Sequence, residues 1–225
     1  MCQGCQNGIE FQEEFERSSG LVSCQVCHLP LRPGQACAGC VGRPPAYVQA
    51  RAVGVLDGVL RAAIHAFKYH QGWRLAEPLA EAMWCRWRRT WDRSLDFDGL
   101  VAIPTAAERE LARGYNQAEL LASRLAVRSG VPRQLGLLLR TTEAVQSRLG
   151  SAARHEHASR LFDVRPGASL GGRRLLLVDD IMTTGATLGA AASLLRRSGA
   201  EVYALVLARQ PLNKLIGTSK ERTST

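Results

Sequence analysis

Several things are missing from this 225-residue sequence, and each absence narrows what it can be. It has no run of 18 or more consecutive apolar residues, so a transmembrane helix, and with it membrane insertion, is not expected. The start, Met1-Cys2-Gln3-Gly4-Cys5 followed by acids at Glu10, Glu13, Glu14 and Glu16, lacks the basic segment and apolar core of a secretion signal. A cytoplasmic location is therefore expected. No internal repeat occurs beyond a Cys-x-x-Cys unit. Basic side chains are scarce in residues 1–45, which hold only Arg17, Arg32 and Arg43 against four acids. That segment carries about −1, and the remainder about +10 of the net +9. Cysteine is scarce everywhere else: of seven, only Cys85 lies beyond residue 45.

What is present divides into three segments. Residues 1–45 form a Cys-rich module that ends in the turn signal Gly42-Arg43-Pro44-Pro45. Residues 46–210 form the body, and residues 211–225, from Pro211 into a polar end, read as a disordered tail. The module holds three pairs: Cys2/Cys5, Cys24/Cys27 and Cys37/Cys40. Paired knuckles with turn residues between them suit a tetrahedral four-thiolate zinc site, and a cytosolic chain disfavours the rival disulfides. Cys24, Cys27, Cys37 and Cys40 are the expected ligands; a site pairing Cys2 and Cys5 with a later knuckle stays open. Four thiolates leave no open coordination position, so such a zinc would be structural. His28 reads as a surface residue, and Cys85, between Trp84 and Trp87, as packing.

In the body, apolar runs alternate with helical patterns. Gly99–Ile103, Arg174–Val178 and Glu201–Leu207 read as buried strands. A helix follows Asn116 as its N-cap, and a second, with apolar Leu188, Ala191, Ala192 and Leu195, stops at Gly199. The alternation implies parallel pairing with right-handed crossovers, and ligands in such sheets sit at the carboxyl ends of strands. The tryptophans Trp84, Trp87 and Trp91, three and four apart, read as core or interface.

One carboxyl end is chemically distinctive. The strand Leu175–Val178 runs into Asp179-Asp180-Ile181-Met182-Thr183-Thr184-Gly185-Ala186-Thr187 and then a helix. Hydroxyls and backbone N–H groups at a helix N-terminus suit a phosphate, and Gly185 allows close approach. Two adjacent carboxylates would repel that phosphate, but they suit a neighbouring sugar diol as hydrogen-bond acceptors. Helix capping alone would not require them. A second stretch, Pro104–Gln117, carries Arg109 and Arg113 between a strand and a helix; a guanidinium donates two parallel hydrogen bonds to a diphosphate.

The run from Leu175 resembles the loop with which type I phosphoribosyltransferases bind 5-phosphoribosyl 1-diphosphate (PRPP). Arg113-Gly114-Tyr115-Asn116-Gln117, Lys68-Tyr69 and the spaced set Gln146, Leu149, Arg154 and Phe162 resemble elements of the ComF family, which joins a cysteine-rich finger to a phosphoribosyltransferase domain. His157 and Leu111 depart from that family's usual residues. The resemblance implies a parallel sheet flanked by helices behind a small zinc module. It also implies that Asp179 and Asp180 hold the ribose hydroxyls near a magnesium ion, and that Thr183, Thr184, Gly185, Ala186 and Thr187 cradle the 5-phosphate. Lys68, Arg109 and Arg113 would meet the diphosphate. It further implies two possible functions. One is an enzyme transferring phosphoribosyl to a nitrogen acceptor with release of diphosphate, for which Asp179, Asp180, Arg109 and Arg113 are the candidate catalytic residues. The alternative is a non-catalytic module handling single-stranded DNA with the DNA-uptake machinery of natural transformation. No general base or acceptor pocket is legible, and neither is the oligomeric state.

Overall fold

A computed structural model describes residues 11–69, 72–91, 95–141 and 161–211. Cys2, Cys5, Gln146, Leu149, Arg154 and His157 lie outside these residues, as does nearly all of the expected tail. In chain order the elements are α1 (Gln12–Ser19), β1 (Val22–Ser23), β2 (Pro30–Leu31), β3 (Gln49–Val55), α2 (Gly58–Lys68), a 3-10 turn (Gly72–Leu75), α3 (Ala76–Thr90), β4 (Gly99–Ala102), α4 (Ala107–Arg113), α5 (Gln117–Ser129), β5 (Leu138–Arg140), β6 (Phe162–Val164), β7 (Arg174–Met182), α6 (Ala186–Arg197) and β8 (Glu201–Arg209).

The run Leu175-Leu176-Leu177-Val178 is apolar at every position, the pattern of a strand covered on both faces. It lies in the interior of a four-stranded, all-parallel sheet of order β3-β8-β7-β4. Successive side chains point to opposite faces. Leu176 and Val178 therefore join one core with Leu60, Phe67, Leu79, Met83 and Leu121 from α2, α3 and α5. Leu175 and Leu177 join another with Leu188, Ala191 and Leu195 from α6. The cysteine knuckles complete this second core: Cys24, Cys27 and Cys37 pack in it with Tyr47, Ala50 and Ala52. On the first side Trp87 and Trp91 are buried and meet Phe97 edge-on, so the tryptophan stripe is core.

Asn116 caps α5 as expected, its side chain accepting from the Ala118 N–H at 2.9 Å. Three expectations change. The strand through Leu175 runs on to Met182, so both aspartates lie within β7 rather than in a loop after it. Pairing with β8 extends it: Met182 stands opposite Arg209. The basic stretch after β4 is not simply a loop, because residues 107–113 form α4, which ends at Gly114 in a left-handed conformation. His28 is not a surface residue; it is 4% exposed. The tight turn of the knuckle, with His28 itself at φ 58°, folds its ring inward onto β3, where Nδ1 accepts from the Ala52 N–H at 3.0 Å. Burial first, then the charges of Arg86, Arg51 and Arg209, hold its pKa well below the usual histidine range.

Candidate functional site

At the carboxyl ends of β4 and β7 the chain encloses a cleft of about 260 Å³. Its walls bring together Lys68, Arg109, Arg113, Asp179, Asp180, Thr183 and Thr187, residues spread over 120 positions of the chain. Each arrives by a different route. Lys68 is the last residue of α2. Arg109 and Arg113, four apart on α4, share a helix face. The aspartates come from β7 and Thr187 from the first turn of α6. Thr184, Gly185 and Ala186 form the turn between that strand and that helix, with Thr184 and Ala186 exposed.

The turn needs glycine because Gly185 sits at φ 85°, a left-handed conformation that is costly for other residues. Among the described residues, the backbone N–H groups of Thr183, Thr184 and Gly185 have no protein acceptor. Three unsatisfied donors at the start of a 12-residue helix are an anion receptor in waiting.

The acidic pair is polarised. Asp180 is tied to Lys68 Nζ at 2.9 Å. Burial, and then the Asp180 carboxylate beside it, pushes Asp179 up to about 8. Its carboxylate accepts the Asp180 N–H at 2.8 Å, a bond that works against the rise without cancelling it. On the opposite wall Arg113 donates to Gln117 Oε1 at 3.0 Å and stacks over the half-exposed Tyr69 ring, 5.7 Å from its centroid. Tyr115, beside Arg113, donates its hydroxyl to the Phe67 carbonyl and so fastens the start of α5 to the end of α2.

Sequence reasoning missed Arg140. It lines the same cleft from β5, its guanidinium donating to the Pro104 carbonyl at 3.2 Å and lying over the Phe162 ring. Nothing around it in sequence signals this, because it reaches the cleft only through the β5–β6 pairing. Asn116 was legible as a cap, but its second bond, Nδ2 to the Ile103 carbonyl at 3.1 Å, ties the helix to the end of β4 and was not.

The second chemical cluster packs on the α6 face of the sheet, beside β3. Cys24, Cys27, Cys37 and Cys40 bring four sulfurs within 4.8 Å of one another, a group that could hold a metal ion. Cys24 and Cys40 Sγ are 3.9 Å apart, and Cys27 and Cys37 Sγ 3.6 Å. A tetrahedron with metal–sulfur bonds of about 2.3 Å has edges of roughly 3.8 Å, whereas a disulfide needs about 2.05 Å. The spacing fits the former. Burial raises Cys27 to about 11. At Cys24 burial opposes ionisation too, but the backbone N–H groups of Cys27 and Val26 outweigh it and the pKa falls. Thiols so placed ionise together most readily around a cation. Cys85, half-buried on α3 with its thiol toward Glu81, is apart from the cluster.

Comparison with known proteins agrees with this geometry. Residues 111–221 match the phosphoribosyl transferase domain. The chain is 27% identical over 207 residues to competence protein F of Haemophilus influenzae, covering 89% of this chain and 86% of that protein. It is 29% identical over 182 residues to DNA utilization protein YhgH of Salmonella typhimurium, covering 79% of each. Over 100 residues it is 40% identical to competence protein ComFC of Bacillus subtilis, covering 44% of this chain and 39% of that one. The parallel four-stranded sheet flanked by helices is accordingly a type I phosphoribosyltransferase fold.

Proposed function

Because the chain is a ComF-family protein, homologous to competence protein F, ComFC and YhgH and carrying a phosphoribosyl transferase domain, we propose that its cleft binds magnesium PRPP. One observation carries the reading: four cationic side chains and the open N-terminus of α6 converge on an acidic pair at the carboxyl ends of the sheet. Polyanion and diol are thereby provided for in one site. The 5-phosphate lies on the N–H groups and hydroxyls of residues 183–187. Asp179 and Asp180 accept from the ribose hydroxyls. Arg109 and Arg113 face the diphosphate, and Lys68 bridges toward it from Asp180. Magnesium, when bound with PRPP, neutralises diphosphate charge; the acidic pair and the ribose hydroxyls are the oxygen ligands that suit it.

The reaction of this class follows from that placement. The C1–O bond to the diphosphate breaks, the leaving group takes the electron pair, and a nitrogen nucleophile forms the new bond to C1 and gives up a proton. Guanidinium groups already aimed at the diphosphate stabilise the charge that builds on it. The Asp180 carboxylate favours the positive charge that develops on the ribose.

We further propose that residues 1–45 form a zinc module, its ion held by Cys24, Cys27, Cys37 and Cys40, and that residues 46–210 form the transferase-like domain. Thiolate ligands favour a reducing compartment such as the cytoplasm. Among the described residues no helix is long and apolar enough to cross a membrane.

Isothermal titration with magnesium PRPP tests the central claim. Binding to the wild type that is absent in the double variant Asp179→Asn/Asp180→Asn supports it, and no heat from the wild type refutes it. A second reading draws support from relatives named for competence and DNA utilization and from the basic body. It makes the chain a single-stranded DNA-handling module. On that reading oligonucleotide affinity falls steeply with salt and ignores both aspartate substitutions.

A further inference from the structure

Arg209 is the last residue of β8, 4% exposed, and it makes no ion pair among the described residues. A buried guanidinium is normally paired with a carboxylate. Here its partners are backbone carbonyls. Nη1 donates to the Met182 oxygen at 2.9 Å and to the Thr183 oxygen, and lies 3.4 Å from the Gln210 oxygen, while Nε has no partner.

The Thr183 carbonyl belongs to the turn that reads as the phosphate loop, and the Met182 carbonyl ends β7 just before it, where it also accepts the Gln210 N–H at 2.9 Å. In a trans peptide the C=O and N–H point in opposite directions. Drawing the Met182 and Thr183 carbonyls toward Arg209 therefore turns the Thr183 and Thr184 N–H groups the other way. These are two of the three N–H groups that have no acceptor among the described residues. Thr183 and Thr184 are themselves exposed. Arg209 thus holds the loop from behind, and among the described residues its charge is matched by no carboxylate.

We infer that Arg209 is a positioning residue of the phosphate loop: it fixes the carbonyls of Met182 and Thr183 so that the loop's N–H groups face an incoming phosphate monoester, whose negative charge is the counter-ion the buried guanidinium otherwise lacks. This rests on the reading of residues 183–187 as a 5-phosphate cradle. It adds that affinity for the phosphate end is set from beneath the loop by a residue that does not touch the ligand. The diphosphate end, held from α4, is independent of it.

The test is calorimetry on the full chain with two probes, ribose 5-phosphate and magnesium diphosphate, for the wild type, Arg209→Lys and Arg209→Met. Charge-assisted hydrogen bonds set the expected scale. In Arg209→Met, affinity for ribose 5-phosphate falls about 10- to 100-fold, and that for magnesium diphosphate stays within about 3-fold. Arg209→Lys, which keeps the charge but not the fork, falls between wild type and Arg209→Met. The melting temperature without ligand is unchanged or higher in Arg209→Met, since an uncompensated buried charge has gone. Equal losses for both probes, no recovery with lysine, or an unchanged ribose 5-phosphate affinity would each overturn the assignment. Should Arg209→Met not fold, the same comparison between wild type and Arg209→Lys decides it. If the wild type binds no ribose 5-phosphate, the cradle reading falls and takes this inference with it. If the wild type binds and Arg209→Met binds equally well, only the inference falls.

Discussion

Replacing Asp179 with asparagine should make the free protein more stable and its ligand binding worse. The reasoning begins with a carboxyl that the fold holds at about 8 against an ordinary 3.8. Between those values the unfolded chain has released the proton and the folded chain keeps it, so the native state binds more protons and stability falls as pH rises from about 4 to about 8. Each unit is worth about 1.4 kcal/mol, which sets a ceiling near 4 kcal/mol at pH 7. Solvent at the mouth of the cleft, to which Asp179 is partly exposed, reduces that ceiling, and we expect about 1 kcal/mol, or roughly 2–4 °C in melting temperature for a chain of this length. Asparagine has no proton to lose, so Asp179→Asn and wild type should melt alike near pH 4 and diverge toward pH 8, with the variant higher. The assay is thermal unfolding across that pH range, paired with titration of magnesium PRPP, whose binding the same substitution should remove. An Asp179→Asn protein that is less stable at pH 7, or whose offset does not change between pH 4.5 and 7.5, would refute the reasoning.

Three further outcomes are expected. Arg109→Gln combined with Arg113→Gln should weaken magnesium diphosphate binding by about 10- to 100-fold while leaving ribose 5-phosphate nearly unchanged, as read by calorimetry. Cys27→Ser should lower the bound zinc measured by elemental analysis and lower the melting temperature; a wild-type level of metal would move the site to other ligands. Leu177→Ala empties a fully buried position between β7 and the cysteine side of the sheet. It should cost about 2–5 kcal/mol in urea unfolding, with metal content retained.

What could be read in advance was whatever depends on neighbours in sequence. The run Leu175–Val178 announces a strand covered on both sides because every position is apolar. The Asp179-Asp180 pair and the threonines after it read as the sugar-phosphate site proposed above, because helix capping alone would not require two aspartates at the strand end. Asn116 announces a cap. What could not be read depends on register and on tight turns. Arg209 lies opposite Met182 only because two parallel strands pair in that register. Arg140 reaches the cleft only through a three-residue hairpin strand whose partner begins at Phe162. His28 was misread because its direction is set by one left-handed residue in a knuckle, where hydropathy carries no information. The aspartates fell inside the strand because ladder pairing with β8 outweighs the low strand preference of aspartate.

The cysteine knuckles have one more consequence. One face of the sheet is roofed by three helices, the other by α6 and the knuckles. The four cysteines therefore stand where another helix would otherwise lie, and a handful of residues does the covering. On the zinc reading proposed above, the ion would tie those residues together, and the hold of this roof on the sheet would depend on the supply of metal. Readiness to fold would then report on the metal and thiol state of the surroundings. A chain made without metal would leave Tyr47, Ala50 and Ala52 less covered on that face.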